Sequence, residues 1–143
     1  MWKILLPVDG SESALNAVKH VIETARARDD VAVTLLYVHL EPVRFGAVAA
    51  AQEAPNIAEV EKKFAEPALA EASKLLIEAK VRYERDVHIA EDVAPMIAKR
   101  AEELDSDAIV MGTHGGGPLA RALLGSTAMK VVHLAKAPVT LVK

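Results

Sequence analysis

The chain has no cysteine in its 143 residues. That excludes a disulfide framework, a zinc–thiolate site and a thiol nucleophile. Aromatic residues make up only 3%, and Trp2, Tyr37 and Tyr83 are too scattered to form a base-stacking platform. Basic residues are not in excess. The formal charge is −3, so the electrostatic footprint of a nucleic-acid binder is missing. No apolar run approaches the ~20 residues of a membrane span. Met-Trp-Lys leads directly into a strand-like segment, with no apolar leader ahead of it. His20, His39, His88 and His133 show no metal-ligand spacing, so no metal is expected from the protein alone. Neither a G-K-[ST] phosphate loop nor a G-x-S-x-G nucleophile elbow occurs. The expectation is a soluble, cytoplasmic protein without nucleic-acid or membrane partners.

What is present is apolar and aliphatic. Half of the chain (52%) is hydrophobic, dominated by Ala, Val and Leu. A chain of this length buries roughly 68–70% of its unfolded surface, which suffices for one domain over residues 1–143. Lys3 to Val8 is a short apolar run that ends at the turn pair Asp9-Gly10. Ser11 or Ser13 can cap the helix that follows, whose apolar positions run from Ala14 to Ala25 at helical spacing. Val31 to Val38 reads as a second strand, rich in β-branched residues. Residues 41–56 hold Pro42 and Pro55, have no period and read as a loop. Ile57 to Lys80 is helical, and Pro67 must kink or restart that helix. Val81 to Ile89 alternates as a half-exposed strand does. Val93 to Leu104 is a helix and Asp107 to Met111 a strand. Gly125 to about Ala135 is a helix, and Pro138 to Val142 a fifth strand.

Strands alternating with helices imply right-handed crossovers and a parallel sheet covered on both faces. The unbroken apolar runs KILLPV and DAIVM belong in the sheet centre, and the alternating VRYERDVHI at an edge. The predicted class is therefore α/β: a single doubly wound parallel five-stranded sheet of order 3-2-1-4-5. Its topological switch point lies between strands 1 and 4, where open α/β sheets bind ligands.

Seven glycines occur in the chain, and Gly112, Gly115, Gly116, Gly117 and Gly125 fall within fourteen residues. They lie at the carboxyl end of strand 4, next to Asp9 at the end of strand 1. Glycine lets backbone N–H groups approach a ligand, and several such groups make an anion nest. A helix starting at Ser126 and Thr127 adds unpaired N–H groups, two hydroxyls and the positive end of its dipole. The stretch favours a phosphate cradle. The plain alternative is a loop followed by an ordinary Ser/Thr cap, with Asp9 as a turn residue and Met111 as core.

The spacing Gly112-x2-Gly115-x9-Gly125-Ser126 resembles the G-2x-G-9x-G-[S/T] motif of the ATP-binding branch of the universal stress protein family. KILLPVDGSESALNAV, VTLLYV, AIVMGTHG and LLGSTAMKVVHLAKAPVTLV are similar to that family as well. The likeness spans nearly the whole chain, except residues around 41–60. It implies an adenine nucleotide alpha hydrolase-like fold and an ATP site. Asp9 would meet the ribose or help organise Mg or Mn carried on the phosphates. Pro7 and Val8 would shape the pocket floor, Val38 would meet the adenine edge through its backbone, and Met111 would pack near the base or ribose. Gly112, His114, Gly115, Gly125, Ser126 and Thr127 would surround the triphosphate. Gly116, Gly117 and Pro118 depart from the family, which often carries Arg, then Ser or Asn, then Gly there. Arg121 is the cation that could partly replace the missing one. The resemblance also implies a homodimer through the last strand, Pro138 to Val142.

Three functions stay open at this level. The first is an ATP-binding stress-response regulator acting as a dimer. The second is a slow ATPase, for which one carboxylate and no P-loop lysine are meagre equipment; no catalytic residue is assigned. The third is a nucleotide-free interaction protein whose glycine loop is structural.

Overall fold

The strands and helices among the described residues can be traced to their burial patterns. The computed structural model describes residues 1–41, 46, 56–113 and 124–143. Strand β1 (Trp2–Pro7) is buried on both sides. Helix α1 (Glu12–Arg26) starts at Ser11, whose hydroxyl accepts the Ala14 N–H at 3.2 Å. Ser13, the other candidate cap, is instead buried and donates to the Val142 carbonyl at 3.3 Å. Strand β2 (Val31–Leu40) lies parallel to β1 in a register from Trp2↔Val31 to Pro7↔Leu36.

Helix α2 resolves the conflict that Pro67 poses. It runs without a break through an α segment (Ile57–Val60), a π turn (Glu61–Ala65) and a second α segment (Glu66–Glu78). Glu66 N–H reaches back to the Glu61 carbonyl, an i→i−5 bond. The widened turn precedes a ring that has no N–H and needs room beside the preceding carbonyls. Lys80 then stops α2 at φ 57°, two residues before the expected end. Its N–H bonds Ile77 O and the Val81 N–H bonds Leu76 O, both at 3.0 Å, which is a Schellman motif without glycine.

Strand β3 (Tyr83–Ala90) pairs β2 from Val33↔Tyr83 to Leu40↔Ala90. Helix α3 (Val93–Glu103), strand β4 (Ala108–Gly112), helix α4 (Ser126–Leu134) and strand β5 (Val139–Val142) complete the order. The sheet is all parallel, β3-β2-β1-β4-β5, as predicted. Most element ends lie within two residues of the sequence reading. The loop expected over 41–56 lies largely outside the described residues.

Alternation along the strands feeds two core layers. Ile4, Leu6, Val8, Val33, Leu35 and Val110 pack against α1 and α2. Leu5, Leu36, Ile109 and Met111 pack against α3 and α4. This two-faced burial holds the sheet rigid beneath the carboxyl ends of its strands, where the candidate site lies.

Candidate functional site

The two central strands part at their carboxyl ends. The β1–β4 ladder covers Ile4↔Ala108 and Leu5↔Ile109. Beyond it, β1 stays paired with β2 to Pro7↔Leu36, and β4 with β5 to Gly112↔Val142. The fork is the topological switch point of a doubly wound sheet.

On the β1 side, Val8 N–H bonds Leu36 O at 2.9 Å and fastens the chain one residue past the strand. Val8 is buried and Pro7 half-buried. Asp9 then stands exposed, and its Oδ1 accepts the Ser11 N–H at 2.9 Å. Gly10 follows at φ +88°, a left-handed conformation that suits glycine. Asp9 is therefore a turn residue, yet only one of its carboxylate oxygens serves the turn bond.

On the β4 side, Thr113 N–H bonds Val142 O at 2.9 Å and Gly125 N–H bonds Thr113 O at 2.7 Å. The second bond joins the point where the chain leaves β4 to the point where it enters α4. Gly125 caps α4 at φ −62° and ψ 150°, with no side-chain cap bond. The first intrahelical bond runs from Met129 N–H to Gly125 O at 3.0 Å. The N–H groups of Ser126, Thr127 and Ala128 thus have no acceptor inside the helix, and these are the donors a helix start offers an anion. Ser126 is exposed and Thr127 half-buried.

Neither described glycine of the cluster, Gly112 or Gly125, has a positive φ. Gly125 occupies a conformation open to any residue. At Gly112 a Cβ would lie 2.2 Å from Ser13 Oγ, 2.7 Å from Ser13 C and 2.9 Å from Ala14 N. Its missing side chain admits the first turn of α1 onto the end of β4. Met111 is buried in the layer shared with α3 and α4, and half-buried Val38 packs against that layer, opposite His88 of β3. His114, Gly115, Gly116, Gly117 and Arg121 lie outside the described residues.

One cluster escaped the sequence reading. Tyr37, His39 and Glu41 alternate along the end of β2, so they share one face. The Tyr37 hydroxyl lies 3.4 Å from His39 Nδ1, and His39 Nε2 lies 3.8 Å from Glu41 Oε2. The His39 ring stacks on Phe64 of the π turn at 4.5 Å. Burial, and then the charge of Asp9, pushes the Tyr37 hydroxyl above its ordinary range. The sequence signal for this face is the alternation in Y-V-H-L-E.

Known proteins share this arrangement. The family model described as "Universal stress protein family" matches residues 1–143. Universal stress protein MJ0531 of Methanocaldococcus jannaschii is 36% identical over 142 residues, covering 99% of this chain and 81% of the relative. The solved structure of protein MJ0577 is 30% identical, with a TM-score of 0.75 over 99% of this chain and 94% of that one. The dAMP complex of the universal stress protein from Archaeoglobus fulgidus has a TM-score of 0.70 at 23% identity, covering 100% of this chain and 98% of that one. Further neighbours of the same fold were solved with cAMP and with AMP. With a family match along its full length, a curated relative above one-third identity and the family's sheet order, the chain belongs to the universal stress protein family.

Proposed function

We propose that the chain binds an adenine nucleotide, ATP foremost, in the fork between β1 and β4 and acts as a stress-response regulator. The observation that carries this is the placement of Asp9 just beyond β1 and of the start of α4 at the end of β4, on the two arms of one switch point. A carboxylate beside exposed backbone donors suits a ribose hydroxyl next to phosphates. The nucleotide complexes of the structural neighbours support the same ligand class. In this reading Pro7, Val8 and Val38 line the base and ribose side. Ser126, Thr127, Gly125 and the glycines Gly115 to Gly117 attend the phosphates with His114 and Arg121.

Among the described residues no group of three His, Cys, Asp or Glu side chains could hold a cation. In this reading a Mg or Mn ion would come with the phosphates, and the carboxylate oxygen of Asp9 not used by the turn would be available to it. Among the described residues no helix is long and apolar enough to cross a membrane, which accords with action in the cytoplasm. The domain extends over 1–143, and two copies join through β5.

A second reading has one observation in its favour. Gly112 owes its identity to packing on α1, as expected if the glycine loop is structural and the pocket stays empty. Chromatography and mass spectrometry of the ligand released by heat from purified protein separate the readings. Co-purified ATP or AMP supports the regulator, and ADP with measurable turnover a slow ATPase. A ligand-free protein that also fails to take up ATP contradicts nucleotide binding.

A further inference from the structure

At the end of the sheet opposite the fork, where the strands begin and helices α1 and α2 end, lies a cavity of about 270 Å³. Its inner lining is apolar. Ile22 and Val31 are buried there, and Ala79 and Val81 half-buried. Its exposed lining is charged, with Arg26, Arg28, Lys80 and Arg82 set against the carboxylates of Asp29 and Asp30. Positive charge is thus gathered at one place on a chain whose formal charge is −3.

Most of these charges are already matched. Arg28 donates to both oxygens of Asp30, from Nε at 3.0 Å and from Nη2 at 3.1 Å. Its guanidinium also lies 4.9 Å from the centre of the Trp2 ring, which holds it in place. Arg26 pairs with Glu23. Lys80 and Arg82 differ, for neither side chain has an ion pair or hydrogen bond among the described residues. Only Asp29 stands against these two free cations. Their backbones are fixed nonetheless. Lys80 N–H bonds Ile77 O, Val81 N–H bonds Leu76 O, and the Arg82 carbonyl accepts the Val33 N–H, each at 3.0 Å. A cation just past a helix end offsets the dipole, which accounts for Lys80. Arg82 stands at the start of a strand, and that account does not reach it.

Size and lining together select the ligand. Pockets for drug-sized molecules span about 300–1,000 Å³, so this smaller cavity suits a small molecule rather than a second nucleotide. Free cations above an apolar lining suit an anion with a short hydrocarbon body, and the planar fork of Arg82 matches the two oxygens of a carboxylate. We propose that this cavity is a second ligand site, for a short-chain carboxylate whose charged group meets Lys80 and Arg82 and whose hydrocarbon rests on Ile22 and Val31.

Titration of the full chain with hexanoate, followed by the amide signals in nitrogen–proton correlation spectra, tests this. Hexanoate is expected to shift amides in residues 25–31 and 79–82, saturating at millimolar concentrations. Hexanamide, with the same body and no charge, is expected to leave them in place, and inorganic phosphate, with charge and no body, to bind more weakly than hexanoate. A Lys80→Gln/Arg82→Gln variant is expected to keep its circular dichroism spectrum and to bind hexanoate at least about fivefold more weakly, as the loss of two exposed charge contacts implies. Shifts absent from these residues, or equal binding by hexanoate and hexanamide or by wild type and variant, would overturn the site. Phosphate that binds as tightly as hexanoate would overturn its assignment to a carboxylate. Neither outcome touches the nucleotide fork at the other end of the sheet.

Discussion

At Gly112 and Lys80 the backbone sets the rules, in opposite senses. Gly112 has no room for a methyl group, since two of the three clashing atoms belong to the backbone of Ser13 and Ala14. Gly112→Ala is expected to destabilise by about 1–3 kcal/mol, a loss of several degrees in Tm read by calorimetry. An unchanged Tm would mean that α1 does not press on β4 as described. Lys80 instead occupies φ 57° at the end of α2, where glycine avoids a left-handed penalty of about 1–2 kcal/mol. Offset by the extra freedom of glycine when unfolded, Lys80→Gly is expected to stabilise by about 0.5–1 kcal/mol in urea unfolding. Neither effect was legible in the sequence. Gly112 reads as a ligand-facing glycine because its steric partner is about one hundred positions away. Lys80 reads as a continuation of the helix because no glycine marks the stop. Ser11 and Ser13 were both eligible caps. The choice fell to Ser11 because Ser13 is taken up by Val142 at the other end of the chain.

At the scale of the element, helix periodicity and strand alternation predict existence and type well and endings less well. Of the kink and the restart that Pro67 allowed, the restart is what occurs: after a π turn a second α segment begins at Glu66 with Pro67 in its first turn. Helix α3 is fastened to β3 by Arg100, which donates to Asp86 at 2.8 Å and to Glu103 at 2.5 Å, with His88 2.8 Å from Asp86. Sequence alone cannot join positions 86 and 100 before the register of the sheet is known. The Arg100 guanidinium holds the Glu103 carboxyl below its ordinary value of 4.5. A depressed folded value contributes stability above the unfolded value and loses it as pH falls through the folded one. Arg100→Gln is therefore expected to be less stable than wild type near neutrality, with the gap narrowing between about pH 5 and pH 3. Urea unfolding at a series of pH values measures it, and a gap that stays constant over that range contradicts the pairing.

At the scale of the whole molecule, the sheet order followed from two uninterrupted apolar strands and one alternating strand, since burial on both faces leaves few places for each. The position of the fork followed from that order, because β1 and β4 part at the switch point. Its interior was only partly legible. Asp9 follows β1 and the start of α4 is tied to the end of β4, Met111 is buried between the sheet and the helices α3 and α4, and the Tyr37–His39–Glu41 face was invisible until β2 proved to extend to Leu40. The central claim is that adenine nucleotide occupies this fork with its phosphates on the first turn of α4. Calorimetric titration of the wild type and of Gly125→Glu with ATP and magnesium tests it most directly. Gly125 has an unstrained φ of −62°, so its backbone conformation accepts glutamate, which places a negative charge at the helix start. The account predicts submillimolar binding by the wild type and at least a tenfold loss in the folded variant, as charge repulsion of phosphate at a helix N-terminus demands. No binding of ATP or ADP below millimolar concentrations, or equal affinity in the two proteins, would contradict it.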